Sequence, residues 1–282
     1  MTARGRLLSG LVATVIALAG FVTVGAPTAA AGPSDTLQYV ALGDSYAAGV
    51  GAPPYVSDSG SCLQSNKGYP ALLDPKGRID LQVNATCAGA TTTYVAQHLP
   101  SELNEDTRLV TLTVGGNDLG FAALAGACLA GTQQQCLKAI EAAEGKLTGL
   151  RSDLALLYGQ VAYAAPNALI VVTGYPHLVE STAPYDPVLI AALNAATDEL
   201  NRTIRNAVAD AVDPTRDNIV YVDVTDAFEG HGIGSSDDPF INAPGPTRSP
   251  EDFHPNAAGY RAYAKAISAA IRDALDRQKQ LA

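Results

Sequence analysis

Five short runs rich in apolar and β-branched residues recur along the chain. The predicted strands are Leu37–Leu42, Ile79–Val83, Leu109–Val114, Ala168–Thr173 and Asn218–Val222. Ile79–Val83 alternates apolar and polar residues, whereas the other four runs are more uniformly apolar and suit parallel strands that are covered on both faces. Stretches with apolar residues at helical spacing alternate with them, at Gln133–Tyr163, Pro187–Val212 and Asn256–Leu275. The alternation predicts an α/β fold, a three-layer α/β/α sandwich around a mostly parallel five-stranded sheet.

The first residues differ in character from the rest of the chain. Arg4 and Arg6 give a positive start, Leu7–Val24 is almost wholly apolar, and Ala29–Ala31 offers small residues for cleavage. This is the layout of a secretory signal peptide, and an uncleaved membrane anchor is the alternative. We predict a signal peptide over residues 1–31, a single domain over 32–282, and no membrane span after cleavage.

The net charge of the chain limits the kinds of molecule that it is expected to bind. The net charge is −10, and removal of the two signal-peptide arginines makes it −12. No Lys/Arg cluster is present, so a role in binding nucleic acid is disfavoured, because phosphate neutralisation needs positive charge. We expect a monomer outside the cell, either free or attached to the cell wall.

The four cysteines are predicted to form disulfides, the usual outcome in an oxidising compartment. They are Cys62, Cys87, Cys128 and Cys136. Four cysteines allow three pairings, of which the sequentially local one is the simplest. A zinc site is disfavoured because the close Cys-x2-Cys spacing is absent, and we expect neither a metal nor a cofactor.

Unusual residues follow three of the predicted strands. They are Gly43-Asp44-Ser45, Gly115-Gly116-Asn117-Asp118 and Gly174-Tyr175-Pro176-His177. In parallel sheets, ligands bind at the carboxyl ends of the strands. We therefore expect the functional residues in these loops.

Ser45 is the candidate nucleophile. It follows the first strand and opens a short helix, where its hydroxyl and free backbone N–H groups would point from the functional edge. Acyl transfer needs a serine oxygen for attack and donors for the developing oxyanion. The alternative is that Asp44 or Ser45 merely caps the helix.

His254 is the candidate base among the four histidines. It stands directly before the last helix, for which Asn256 is the predicted N-cap. His177 follows the fourth strand and is the second candidate base or a substrate contact. His98 is expected in a solvated position, and His231 has no assigned role.

Two further residues could stabilise an oxyanion. Asn117 follows two glycines and carries an amide donor, and Gly89 could offer a bare backbone N–H. Either residue could instead be an ordinary turn residue.

These blocks occur in one order, Gly-Asp-Ser, a lone glycine, Gly-x-Asn-Asp and a late His-Pro. Together they resemble the GDSL or SGNH hydrolase family of esterases and lipases, and most closely its secreted actinobacterial members. The resemblance implies a flavodoxin-like SGNH hydrolase fold, with Ser45 as nucleophile and His254 as general base. It also implies an oxyanion hole built from the Ser45 and Gly89 N–H groups and the Asn117 side chain.

The resemblance also bears on the disulfides and on a loop. It favours the local pairings, Cys62 with Cys87 and Cys128 with Cys136. The actinobacterial members usually have a third bridge in the loop before the histidine. Here that loop begins at Phe228–Gly234 and contains no cysteine, so we expect it to be more mobile and to affect the acyl pocket.

The residue expected to orient the His254 imidazole departs from the family pattern. The family has Asp-x-x-His, whereas Glu251 stands three residues before His254. We assign Glu251 as the third catalytic residue, and a backbone carbonyl of Glu251 or Asp252 as the alternative.

The sequence thus predicts a secreted serine esterase or lipase that hydrolyses carboxylic esters of short to medium acyl chains, including lipid or phospholipid esters, through an acyl-enzyme. A carbohydrate deacetylase of the acetyl-xylan type is the nearest alternative, because the same machinery removes acetyl groups from sugars. A non-catalytic cell-wall binding protein is the alternative of another class. The presence of all four residues, Ser45, Gly89, Asn117 and His254, argues against it.

Overall fold

The computed structural model describes residues 36–73, 77–212 and 218–281. Its strands are β1 (Leu37–Gly43), β2 (Ile79–Thr86), β3 (Leu109–Thr113), β4 (Leu169–Thr173) and β5 (Ile219–Val222). They form one five-stranded sheet in the order β2-β1-β3-β4-β5, and every neighbouring pair is parallel. The predicted strands and their parallel arrangement are confirmed.

Helices cover both faces of the sheet. They are α1 (Ser45–Ala48), α2 (Tyr69–Leu72), α3 (Thr92–Gln97), α4 (Gly116–Leu119), α5 (Phe121–Ala130), α6 (Gln133–Glu144), α7 (Leu147–Ala164), α8 (Pro187–Ala211), α9 (Thr225–Phe228) and α10 (Ala257–Leu281). A 3-10 segment spans Ser57–Cys62. One layer contains α3, α7 and α8, with α5 and α6 beside α8, and the other contains α1, α2, α9 and α10. This is the predicted three-layer sandwich.

One predicted helix is two helices. The stretch expected to run unbroken from Gln133 to Tyr163 ends at Glu144, and α7 starts at Leu147. Gly145 is the C-cap, in keeping with the low helix propensity of glycine. The last helix is longer than its predicted range and reaches Leu281.

The core of the sheet contains a row of buried hydroxyl groups. Thr111 of β3 bonds the hydroxyl of Tyr39 at 2.5 Å, and Thr113 bonds both Tyr69 at 2.8 Å and Thr173 of β4 at 2.6 Å. Each of the three threonines is fully buried. Because buried hydroxyls are costly unless paired, this row fixes the threonines against their neighbours without loss of stability.

Two disulfides tie loops to the sandwich. Cys62 is joined to Cys87 and Cys128 to Cys136, which is the local pairing. The first attaches the 3-10 segment to the residue after β2. The second holds the end of α5 against the start of α6.

The predicted signal peptide, residues 1–31, lies outside the described residues, so it and the division into signal peptide and single domain stay predictions. Among the helices of the described ranges, none combines the length and apolarity needed to cross a membrane.

Candidate active site

Ser45 stands at the carboxyl end of β1, as predicted. Gly43 closes the strand with φ of +133°, and a Cβ there would lie 2.3 Å from the carbonyl oxygen of Thr113. Asp44 is the N-cap of α1, and its carboxylate accepts from the N–H of Tyr46 at 2.9 Å. The capping alternative therefore applies to Asp44, which leaves the Ser45 hydroxyl free for other contacts.

His254 reaches Ser45 from the far end of the chain. Its Nε2 lies 2.7 Å from the Ser45 Oγ. The backbone of Asn242 donates to the His254 carbonyl at 2.9 Å, and Asn256 caps α10 by accepting from the N–H of Ala258 at 2.8 Å. The histidine is thus held between a backbone contact and a capped helix, which fixes its position relative to Ser45.

The group behind the imidazole is a backbone carbonyl. Nδ1 of His254 lies 2.9 Å from the carbonyl oxygen of Asp252. A carbonyl only accepts, so Nδ1 carries the proton and Nε2 accepts the hydrogen bond from Ser45. This hydrogen bond defines the tautomer that a general base needs.

The Glu251 carboxylate forms its hydrogen bonds with residues other than His254, although the sequence assigned it as the third catalytic residue. Its Oε1 accepts from the Tyr55 hydroxyl at 2.8 Å, and its Oε2 accepts from the Ser249 hydroxyl. Within the described residues no hydrogen bond joins the Glu251 carboxylate to the His254 imidazole. The arrangement matches the alternative drawn from the sequence, a carbonyl at Asp252, because the glutamate side chain is held by Tyr55 and Ser249.

Burial lowers the pKa of His254 to about 4, and hydrogen bonds to the carbonyls of Asp252 and Pro250 oppose the shift. The charges of Glu251 and Asp252 oppose it more weakly. The imidazole is therefore neutral near pH 7, which is the protonation state that accepts a proton from serine.

Three donors face the space beside Ser45. The Asn117 amide donates to the Ala90 carbonyl at 2.9 Å, which fixes its orientation and leaves its second N–H available. Gly89 has φ of +80°, and no acceptor for its N–H or for that of Ser45 is found in the described part of the chain. Ser45, Gly89, Asn117 and His254 all line one cavity of about 180 Å³. The structure thus brings together the four residues singled out from the sequence.

Tyr175 links the serine loop to the asparagine loop. Its hydroxyl donates to Oδ2 of Asp44 at 2.5 Å and accepts from the N–H of Gly116 at 3.1 Å. Burial raises the pKa of Asp44 to about 7, although the bonds from Tyr175 and Tyr46 favour the charged form. Tyr175 is part of a loop flagged by the sequence, but its partner lies 131 residues away, so the sequence carried no signal for this contact.

The remaining wall of the cavity is mostly apolar. Its apolar side chains include Leu63, Phe121, Ala122, Pro176, Leu178 and Phe253. None of the described lining residues comes from the loop over residues 228–242, which the sequence had placed at the acyl pocket. In that loop Phe240 stacks on His231, with ring centroids 3.9 Å apart, and Ile241 is buried.

The other three histidines lie elsewhere. His177, the second candidate base, bonds Asp198 at 2.7 Å and is not among the residues that line the cavity. His98 is exposed and stacks on Tyr94, as expected for a solvated position. His254 is therefore the histidine that the fold presents to Ser45.

Comparison with known proteins identifies the family. The model of the GDSL-like lipase/acylhydrolase family matches residues 41–262, which include every residue of the site described above. The chain belongs to this family. It is accordingly an ester hydrolase of the lipase and esterase type, as the sequence predicted.

Individual relatives agree with this assignment. Lipase 1 of Streptomyces coelicolor is 34% identical over 257 residues, which cover 89% of this chain and 93% of the relative. The crystal structure of a phospholipase A1 from Streptomyces albidoflavus is 34% identical and superposes with a TM-score of 0.77, covering 83% of this chain and 99% of that one. An extracellular lipase from Streptomyces rimosus is 34% identical with a TM-score of 0.74, covering 83% and 100%.

Proposed function

We propose that this GDSL hydrolase cleaves carboxylic esters through a covalent intermediate on Ser45. The observation that supports this most directly is the 2.7 Å contact between Ser45 Oγ and His254 Nε2, beside three N–H donors in one cavity. A nucleophile, a neutral base and oxyanion donors within one space are the requirements of acyl transfer.

The first half-reaction forms the acyl-enzyme. Ser45 Oγ attacks the ester carbonyl while His254 Nε2 takes the hydroxyl proton, and the carbonyl oxygen becomes an oxyanion. The N–H groups of Ser45 and Gly89 and the Asn117 amide donate to that oxyanion. As the tetrahedral species collapses, the bond to the alcohol oxygen breaks, and His254 returns the proton to the departing alcohol.

The second half-reaction consumes water. His254 takes a proton from a water molecule, whose oxygen attacks the acyl carbon. The bond to Ser45 Oγ then breaks, the carboxylic acid leaves, and His254 returns the proton to Ser45. The carbonyl of Asp252 keeps the imidazole in the tautomer that both steps use, and each step needs only side chains, backbone groups and water.

The substrate we propose is a lipid or simple-alcohol ester with a short to medium acyl chain. The cavity of about 180 Å³ is small beside the roughly 300–1,000 Å³ of typical ligand pockets. Its wall beside Ser45 offers apolar side chains to an acyl group. The relatives described above, two lipases and a phospholipase A1, favour lipid esters over the acetylated polysaccharides of the alternative.

Active-site labelling tests the assignment of Ser45. A fluorophosphonate probe should label the wild-type protein and leave Ser45→Ala unlabelled. Ser59→Ala, which removes a half-buried serine from the 3-10 segment, is the matched control and should label like wild type. Equal labelling of Ser45→Ala would exclude Ser45 as the nucleophile. Loss of Ser45 should lower kcat by about 10⁶-fold, as for other serine hydrolases.

We also propose secretion, with cleavage after residue 31. The charged start and apolar run of residues 1–31 support it, and two disulfides fit an oxidising compartment. N-terminal sequencing of protein recovered from culture medium should give Gly32 as the first residue. Recovery of intact chain from the membrane fraction alone would favour the anchor.

A further inference from the structure

The active-site cavity is separated from a second apolar space by one side chain. That second space lies among α5, α6, α7 and α8, and its lining includes Leu119, Leu124, Ile140, Leu147 and Ala196. Of the described residues, Phe121 alone lines both this space and the cavity that contains Ser45. Phe121 is the first residue of α5, which follows α4 after Gly120, and it lines the active-site cavity together with Gly89 and Asn117.

The second space is small and borders a larger groove. The whole of it measures only about 10 Å³, which is barely room for one water molecule. It shares Ile140, Leu147 and Ala196 with a groove of about 500 Å³ between α6 and α8. Two acidic residues, Glu144 and Glu199, also line both spaces, and the Glu199 carboxylate is paired with Arg202. A passage with mostly apolar walls therefore runs from the edge of the active site toward the surface, interrupted at Phe121.

We propose that Phe121 sets the longest acyl chain that the enzyme accepts, by closing this passage. The inference rests on the proposed function, because it names the acyl group of the same site as the ligand. Two of the helices that form the passage are tied together, since the Cys128–Cys136 disulfide joins the end of α5 to the start of α6. The position of one half-buried ring, and not a movement of the helices, then decides whether the passage is open.

The predicted consequence is a change in acyl-chain preference. Each methylene group that enters apolar space raises kcat/KM by up to about fourfold. Phe121→Ala opens room for several such groups. The ratio of kcat/KM for a C12 ester to that for a C4 ester should rise by about tenfold or more relative to wild type.

The experiment is a four-protein cycle on p-nitrophenyl esters from C2 to C16. It compares wild type, Phe121→Ala, Ile140→Phe and the double variant, each checked for folding by its Tm. Ile140→Phe fills the second space without touching the active-site cavity, so alone it should leave the C12/C4 ratio unchanged. Combined with Phe121→Ala, it should return the ratio to the wild-type value. Phe121→Leu, a smaller truncation, should shift the ratio in the same direction and serves if the alanine variant does not fold.

The outcomes separate the two proposals. An active wild type whose C12/C4 ratio is unchanged by both truncations would overturn the role of Phe121 and leave the esterase assignment intact. A raised ratio that Ile140→Phe does not reverse would also overturn it, because the added room would then lie elsewhere. A wild type that hydrolyses no ester and binds no fluorophosphonate would overturn the proposed function itself.

Discussion

Nδ1 of His254 donates a hydrogen bond to the backbone carbonyl of Asp252 at 2.9 Å. In most serine hydrolases a carboxylate fills this position and stabilises the imidazolium that forms during the reaction. A carbonyl fixes the tautomer equally well, but it offers a dipole in place of a full charge. The loop carrying it is held internally, because the N–H of His254 donates to the Glu251 carbonyl at 3.1 Å.

The first prediction concerns Glu251. Because its carboxylate bonds Tyr55 and Ser249 and not His254, Glu251→Ala should lower kcat by less than about tenfold. Loss of a triad carboxylate would instead lower it by about 10⁴-fold. Steady-state kinetics on a p-nitrophenyl ester measure the difference. A loss near 10⁴-fold with unchanged KM would restore Glu251 as the third catalytic residue.

Tyr55→Phe is the matched variant, since it removes the same hydrogen bond from the other side. The Tyr55 hydroxyl also accepts from the N–H of Gly51 at 3.2 Å, so it connects Glu251 to the segment after α1. The two substitutions should therefore be coupled in a double-mutant cycle of unfolding free energy, by about 0.5 to 3 kcal/mol. Additive effects would show that the contact contributes nothing to stability.

The second prediction is the acid limit of the pH profile. Only the neutral imidazole takes a proton from Ser45, and burial lowers the pKa of His254 from 6.5 to about 4. The kcat/KM should therefore stay level down to about pH 5 and fall below about pH 4, tenfold per pH unit. An acid limb near pH 6.5 would contradict the burial of this histidine.

The lowered pKa of His254 also makes the stability of the fold depend on pH. The folded pKa of His254 lies below its unfolded value, so the unfolded chain takes up the proton first as the pH falls. The contribution of this residue is fully present above pH 6.5 and decreases from there toward pH 4. Circular dichroism across this range separates loss of fold from loss of the base.

The third prediction concerns Asn117, whose amide is held by the Ala90 carbonyl. Asn117→Ala should lower kcat by about 100- to 1000-fold with little change in KM, because the donor acts on charge that develops only in the transition state. Asn167→Ala is a suitable control, since the Asn167 amide also donates to a backbone carbonyl but on the exposed surface. A parallel rise in KM would instead indicate ground-state binding.

The sequence predicted the parts of this fold that depend on local pattern. Each predicted strand starts within one residue of an observed strand, because short runs that are uniformly apolar, or that alternate apolar and polar residues as Ile79–Val83 does, are typical of strands. The break at Gly145 was missed because Ala- and Leu-rich helical spacing continues across it. Glycine lowers helix propensity, but spacing alone does not show whether tertiary packing overrides it.

The site residues were predictable where a motif carries them, and the contacts were not. Ser45 and His254 stand in short blocks of distinctive composition. The choice between the Glu251 carboxylate and the Asp252 carbonyl depends on Tyr55, which lies 196 residues from Glu251. Phe121 likewise has no sequence signal, because an apolar residue at a helix start is ordinary until its surroundings are known.

The fourth prediction concerns Tyr175, which joins the Asp44 carboxylate to the N–H of Gly116. Tyr175→Phe leaves both groups buried and without this partner, at a cost of about 1 to 3 kcal/mol for each. It should also lower kcat by about tenfold or more. The reason is that these two loops carry Ser45 and Asn117, and small displacements of catalytic groups lower the reaction rate strongly. Urea unfolding and steady-state kinetics measure the two effects.

Tyr158→Phe is the control that separates the effect of the Tyr175 hydrogen bonds from the effect of removing a buried hydroxyl group. Tyr158 is fully buried in α7, and its hydroxyl has no hydrogen-bond partner in the described residues. Removing an unpaired buried hydroxyl should leave stability unchanged or slightly increased, and kcat unaffected. The two variants lose the same atom from fully or almost fully buried rings, so a difference between them measures the contacts of Tyr175. If both variants lost the same stability and kept full kcat, the Tyr175 link would have no part in holding the serine loop to the asparagine loop.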